Sequence, residues 1–174
     1  MNGLLALFRD LLLLRRGPQD LPYAPTLLAV LCVATVLADL LVARMLIDGP
    51  APVGRVLFSL LLLVGLPAIA LRMVGHPERL VQTATALAGT GIVFSLLALP
   101  VVAGVGRLPE DPAALQPMQV VFGWLSIALL GFQVAVKGHI FRHALGVPLR
   151  AGVLLAVAFF AIELVLGVAV FGDA

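Results

Sequence analysis

Five long apolar runs dominate the chain, and charged or turn-forming residues separate them. The runs cover about residues 25–46, 54–74, 80–104, 117–137 and 150–171. Each run is long enough for a helix that crosses a bilayer, which takes ~20 residues. Gly, Pro and charge concentrate in the four stretches between the runs, as is typical where a chain leaves hydrocarbon and turns. The pattern predicts an all-α polytopic membrane helical bundle, with five transmembrane helices in one domain over residues 23–174.

Residues 1–22 follow a different pattern, because Arg9 and Asp10 interrupt the apolar run and leave it too short to span. On a helical wheel of about 100° per residue the two kinds of side chain separate. One side carries the polar residues Asn2, Arg9, Asp10 and Arg16, and the other carries Leu4, Leu7, Phe8, Leu11 and Leu14. This predicts an interfacial amphipathic helix followed by a linker. A cleaved secretory signal, the alternative, would need a basic residue before the apolar core and a small-x-small cleavage site.

Lys and Arg residues are distributed unevenly about the predicted spans. With the N-terminus inside, eight lie on the inner side: Arg9, Arg15, Arg16, Arg72, Arg79, Lys137, Arg142 and Arg150. Three lie on the outer side: Arg44, Arg55 and Arg107. Because basic residues favour the cytoplasmic side, this excess predicts a cytoplasmic N-terminus and an outside C-terminus.

The composition agrees with a membrane protein and removes other classes. Hydrophobic residues make up 62% of the 174 residues and charged residues only 11%, against about a quarter charged in soluble domains. The net charge is +2, and the basic residues do not cluster beside aromatics that would stack on bases. Nucleic-acid binding therefore has no support. The single cysteine, Cys32, lies in a predicted span and excludes an intrachain disulfide.

Two carboxylates fall inside predicted spans. Asp39 lies roughly 21 Å into the first span and Glu163 roughly 20 Å into the fifth, at 1.5 Å per residue, so we expect them at similar heights. Intramembrane acids usually face the bundle and mark ion or substrate pathways. One interpretation is a proton or cation site between these two spans. The other is that each acid is protonated, or pairs with Arg44 or Arg55, and fixes helix packing.

A second group of polar residues lies near the predicted cytoplasmic ends of two spans. It consists of Gln82, Thr83 and Thr85 on the third span and Gln133 on the fourth. Their amide and hydroxyl groups can hydrogen-bond across helices.

Small residues repeat along one side of the third span. This packing stripe consists of Ala84, Ala88, Gly91 and Ser95. Small-xxx-small spacing lets another helix approach closely. We expect packing inside the bundle, with a homo-oligomer seam as the alternative. Pro67 and Pro100 would kink the second and third spans or mark their ends.

The motifs for metal binding and catalysis are weak. "HIFRH" places His139 and His143 four residues apart, a spacing that aligns imidazoles on one helix face. No HExxH or Cys ligand accompanies them, and a solvated basic loop touching anionic lipid explains them more simply. The neighbouring acids Glu110 and Asp111 are typical of a solvated turn between prolines. With no nucleophile elbow or phosphate loop, no metal, cofactor or enzymatic activity is predicted.

Three stretches resemble the Yip1-like family of five-span membrane proteins. "QDLPYAPTLLAVL" (19–31) resembles the family's Asp-x-x-x-x-Pro start of the first span, and "ALAGTGIVFSLLALP" (86–100) resembles its glycine-centred third span. Residues 123–156 are similar to its fourth span and the short basic connection before the fifth. This sequence has Thr90 where a Tyr usually follows the glycine. The resemblance implies a membrane protein without catalytic residues, and its bacterial members imply an inner-membrane location.

Two functions remain open. The first is a non-catalytic scaffold, adaptor or assembly subunit in a bacterial inner membrane. Its partners would be the lipid bilayer and another membrane protein or a second copy of the chain. A composition rich in Leu, Ala and Arg, with Lys137 as the single lysine, favours a high-GC bacterial genome. The alternative is a small proton- or cation-coupled carrier or channel that uses Asp39 and Glu163.

Overall fold

The protein is helical throughout the residues that its computed structural model describes, which are 2–46, 52–106, 109 and 115–172. The helices are α1 (Asn2–Leu12), α2 (Pro25–Leu46), α3 (Val53–Met73), α4 (Leu80–Val105), α5 (Pro117–Leu145) and α6 (Leu149–Phe171). Short 3₁₀ turns, Pro18–Asp20 and Pro77–Arg79, precede α2 and α4. The predictions made for Arg107, Glu110 and Asp111 lie outside the described residues.

Helices α2 to α6 are each long and apolar enough to cross a membrane. The predicted all-α bundle of five such helices is therefore confirmed, and four of the helices match the predicted spans closely. The exception is α5, since the fourth span was expected to end at residue 137 whereas the helix continues to Leu145. Nothing before Gly146 stops it, and this glycine takes a left-handed conformation (φ +68°) that ends the helix ahead of Pro148. The basic residues after 137 mark a change of polarity without marking a helix end.

Helix α4 is the central element of the bundle. Its residues from Thr83 to Thr90 are all buried, and it contacts α1, α2, α3 and α5. Helix α6 packs mainly on α5, and α3 lies beside α2, α4 and α6. We call the end of the bundle at which α2, α4 and α6 begin the α1 end, because α1 packs there. Pro67 and Pro100 lie inside α3 and α4, where each removes one backbone hydrogen bond.

The closest approach between helices joins α5 and α6. A Cβ added to Gly152 would contact Gly138 O and would lie 2.9 Å from Arg142 N. A Cβ added to Gly138 would lie 2.8 Å from Val153 Cα. The two helices can cross at this point only because both positions lack a side chain.

Helix α1 lies within the segment for which an interfacial amphipathic helix was predicted, and it packs on the bundle itself. Leu11 is 1% exposed, and the Phe8 ring lies where Gly89 of α4 has no Cβ. Leu4, Leu7 and Leu12 also pack against the core. Leu14, expected on the same side, instead lies in the turn beyond the helix and is 41% exposed. Contact of α1 with the membrane interface stays a prediction.

Candidate functional site

A cavity of about 720 Å³ lies between α2, α3, α4, α5 and α6. Its walls are mostly Leu, Val and Phe side chains, but nine polar or charged residues also line it. These are Thr35, Asp39, Arg55, Ser59, Ser95, Ser126, Gln133, Lys137 and Glu163. A volume of this size is within the range of sites that bind small molecules.

The cavity runs along the bundle axis. On α4 its lining extends from Leu87 to Val102, and on α5 from Ser126 to Phe141. Fifteen helical residues rise roughly 22 Å, which is most of a ~30 Å hydrocarbon layer. Asp39 and Glu163 therefore lie away from both ends of the bundle, where loops and water would normally satisfy them, whereas Arg55 lies near one end.

Asp39 shares the hydroxyl group of Ser95 with a backbone carbonyl. Ser95 Oγ lies 2.6 Å from Asp39 Oδ1 and 3.1 Å from Gly91 O. The serine has one hydroxyl hydrogen, so it can donate to only one of these acceptors at a time. An ionised Asp39 would receive that hydrogen. A protonated Asp39 could instead donate to Ser95 Oγ, leaving the serine to donate to Gly91 O.

Glu163 of α6 accepts a hydrogen bond from the hydroxyl group of Ser59 on α3. Arg55 lies one turn before Ser59 on α3, with its guanidinium 3.9 Å from the position of a Cβ on Gly167. A second cavity of about 200 Å³ begins at this α3–α6 contact, and Arg55, Ser59 and Glu163 line both cavities. The Ser59–Glu163 hydrogen bond is thus part of the wall between them.

The structure brings Asp39 and Glu163 to one cavity at matching heights. Each lies fourteen residues after the first residue of its helix (39 − 25 and 163 − 149), or roughly 21 Å along it. Their hydrogen-bond partners are on different helices, α4 for Asp39 and α3 for Glu163. The expected alternative, pairing with Arg44 or Arg55, finds no ion pair among the described residues.

The two glutamines that the sequence grouped together have different surroundings. Gln82 lies outside the cavity, where its amide donates to Leu21 O at 2.7 Å and to Gln19 O at 3.3 Å. It therefore ties the connection between α1 and α2 to α4. Gln133 lines the cavity, and within the described chain it has no hydrogen-bond partner.

The packing stripe of α4 divides between core and cavity. Ala84 and Ala88 are fully buried, and Ala88 O accepts a hydrogen bond from Thr35 of α2 at 3.4 Å. Gly91 and Ser95 line the cavity, and a Cβ on Gly91 would have no neighbour within 4 Å. The first half of the stripe therefore packs closely within the bundle, and the second half leaves space for the cavity.

Lys137 is a charged cavity residue that sequence reasoning missed. It was counted as a basic residue at the cytoplasmic end of the fourth span, but α5 continues to Leu145 and places it inside the bundle. It lines the cavity and interacts electrostatically with Asp39, as Glu163 also does. The available signal was the absence of any helix-stopping residue between 137 and 145. Ser59, an isolated hydroxyl in an apolar run, carried no comparable signal.

The prediction that His139 lies in a solvated basic loop is wrong, because His139 lies on α5 and is 6% exposed. Its Nε2 lies 3.0 Å from Arg16 O, so this nitrogen donates to the carbonyl. The His143 ring packs against it at a centroid distance of 4.5 Å, while His76 contacts Glu78 instead. Among the residues described, no three His, Cys, Asp or Glu side chains are arranged to hold a metal ion.

The chain matches no protein-family model, no curated protein and no solved structure in comparisons with known proteins. The resemblance to Yip1-like proteins therefore stays a prediction. Two acids, two basic side chains and several hydroxyl groups face a space large enough for a solute, inside five helices that can cross a membrane. Such a site can bind a small polar molecule and exchange protons with it.

Proposed function

We propose that this protein is a small integral membrane carrier or channel that couples the passage of a solute or cation to protons through Asp39 and Glu163. The observation that carries the proposal is the cavity of about 720 Å³ that both carboxylates line. Ionisable residues inside a membrane bundle are costly, and they commonly line substrate or proton pathways. A cavity used only for packing would not need two acids and two basic side chains.

The hydroxyl partners of the acids provide a way to move protons. Ser95 can give its hydrogen to ionised Asp39, or accept one from protonated Asp39 while donating to Gly91 O. Both protonation states therefore keep a hydrogen bond between Asp39 and Ser95. Because unpaired polar groups are costly away from water, this lowers the barrier to protonating and deprotonating Asp39 inside the bundle.

The topology belongs to the same proposal. The excess of Lys and Arg favours a cytoplasmic N-terminus and an outside C-terminus, which makes the α1 end of the bundle the cytoplasmic end. The composition favours a bacterial inner membrane. In this orientation Asp39 and Glu163 lie beyond the midplane toward the outside, and Lys137 lies on the cytoplasmic side of them.

A scaffold or adaptor was the first function suggested by the sequence, and it rested on the lack of chemistry in the loops. The cavity supplies chemistry in a different place, between the spans. Within the described residues we find no feature that specifically favours a docking partner. A homo-oligomer stays compatible with either function.

The proposal is tested by proton flux in liposomes that contain the purified protein. With an imposed membrane potential and a pH-sensitive dye inside, Asp39→Asn and Glu163→Gln should each lower the protein-dependent flux to near background, because the amides cannot be deprotonated. Glu78→Gln is the matched control, since this acid is exposed and lies outside the cavity. Size-exclusion profiles show whether each variant is folded. Wild-type flux from both cavity variants would contradict the proposal.

A further inference from the structure

We infer that the solute is a small zwitterion, with an amine and a carboxylate on one apolar body. The inference rests on the proposed function and names its substrate class. It comes from how charges are distributed in the cavity, which no single residue reveals.

The cavity is balanced in charge. Asp39 and Glu163 contribute two formal negative charges, and Arg55 and Lys137 contribute two positive charges. A monovalent cation or anion entering this space would leave it with a net charge inside a poorly polarisable environment, which is costly. A molecule with no net charge avoids that cost. The charge balance therefore favours a neutral or zwitterionic ligand over a simple ion.

The charges do not neutralise one another directly. Among the described residues no ion pair joins either acid to either basic side chain, and Lys137 has no hydrogen-bond partner. The acids have one hydroxyl donor each, Ser95 and Ser59. Partly buried charges of this kind are stabilised when a group of opposite charge comes between them. A zwitterion supplies both opposite charges at once.

The two kinds of charge are also separated along the axis, which gives the ligand a direction. The acids lie roughly 21 Å from the helix starts at the α1 end, and Lys137 lies eight residues, or roughly 12 Å, from the end of α5 there. The Lys137 side chain is long enough to reach toward Asp39, with which it interacts. We therefore place the ligand's amine at Asp39 and Glu163 and its carboxylate at Lys137.

The walls between these groups are apolar. Leu63, Leu66 and Phe159 line the space between the acids and the α1 end, and Phe94 lies level with the acids. These side chains would contact the hydrocarbon part of a ligand. Arg55, by contrast, is the third residue of α3 and lies at the opposite end of the cavity. It adds to the charge balance without being the carboxylate partner.

Three matched compounds test the inference on the protein in lipid nanodiscs by calorimetry. Leucine is the zwitterion, 3-methylbutylamine lacks its carboxylate, and 4-methylpentanoate lacks its amine, while all three share the same apolar end. We expect leucine to bind at least about tenfold more tightly than either of the others, because each of them forfeits a charge-assisted hydrogen bond. This comparison needs no variant, so it does not depend on how well substitutions fold.

Variants then assign the carboxylate end. Lys137→Met should weaken the binding of leucine about tenfold and leave the binding of 3-methylbutylamine unchanged. Lys137→Arg keeps the cation and should retain the preference for leucine. Arg150→Met is the control, because Arg150 is an exposed cation outside the cavity. Equal binding of leucine and the amine, or no binding of any compound, would overturn the inference. The proton-flux measurement contains no added solute, so the proposed function would be judged separately.

Discussion

The amide of Gln82 holds the connection between α1 and α2 against the central helix. Its two backbone acceptors, Leu21 O and Gln19 O, belong to the same turn. In that turn Asp20 accepts a hydrogen bond from Gly17 N at 3.0 Å. Hydrogen bonds from the side chains of Gln82 and Asp20 thus fix the connection around the 3₁₀ turn. The sequence showed only that Gln82 was a polar residue near the end of an apolar run.

The two glutamines provide a matched comparison for this role. Gln82→Leu removes the donor to two carbonyl groups, so we expect it to lower the free energy of unfolding by about 1–2 kcal/mol. Gln133→Leu removes an amide with no hydrogen bond within the described chain, so its stability should stay near that of the wild type. Chemical unfolding in mild detergent, followed by circular dichroism, measures both. Equal loss of stability in the two variants would contradict the assigned role of Gln82.

The pairing of α5 with α6 depends on two glycines, whereas other glycines of α5 are unconstrained. A side chain at Gly152 has no room because Gly138 O and Arg142 N lie next to it. At Gly131 of α5, by contrast, a Cβ would have no neighbour within 4 Å. Both residues are glycines within a helix, and the sequence pattern alone does not distinguish them. Their difference comes entirely from which neighbour crosses at that height.

This difference predicts opposite effects of the same substitution. Gly152→Ala must push α5 and α6 apart and should destabilise the protein by about 1–3 kcal/mol, as overpacking does. Gly131→Ala should be neutral or stabilising by up to about 1 kcal/mol, because alanine favours helix more than glycine does. Thermal unfolding of both variants in the same detergent checks this. Equal melting temperatures would show that the crossing tolerates a methyl group.

Apolar run length was enough to predict the helices, because each span needs a fixed number of apolar residues. It failed at α5, where Gly138 and a change in polarity at Lys137 were taken for a helix end. Depth along the helices also placed Asp39 and Glu163 at one height. The cavity itself was beyond prediction, because it depends on how far α3 stands from its neighbours. Nor did the pattern reveal that Ser95 and Ser59 would each face an acid on another helix.

At the scale of the whole molecule, the orientation of the protein in the membrane decides which end of the cavity faces the cytoplasm. It is checked by cysteine labelling in a Cys32→Ala background. In intact cells a membrane-impermeant maleimide should label Ala174→Cys at the C-terminus, and it should label Glu78→Cys only after the membrane is opened. Glu78 is exposed and lies at the α1 end of the bundle, which the positive-inside rule places in the cytoplasm. The reverse pattern of labelling would contradict this orientation.

The packing of α1 has a consequence for how the protein is made. Phe8 lies on Gly89 of α4, and Arg16 O accepts from His139, 123 residues later in the chain. The ribosome synthesises α1 before α4 and α5, so the surface that α1 packs on is complete only after α5 has been made. Contacts so distant in sequence form late and slowly. We therefore expect α1 to dock only after α4 and α5 have been made, and to lack its packing partners until then.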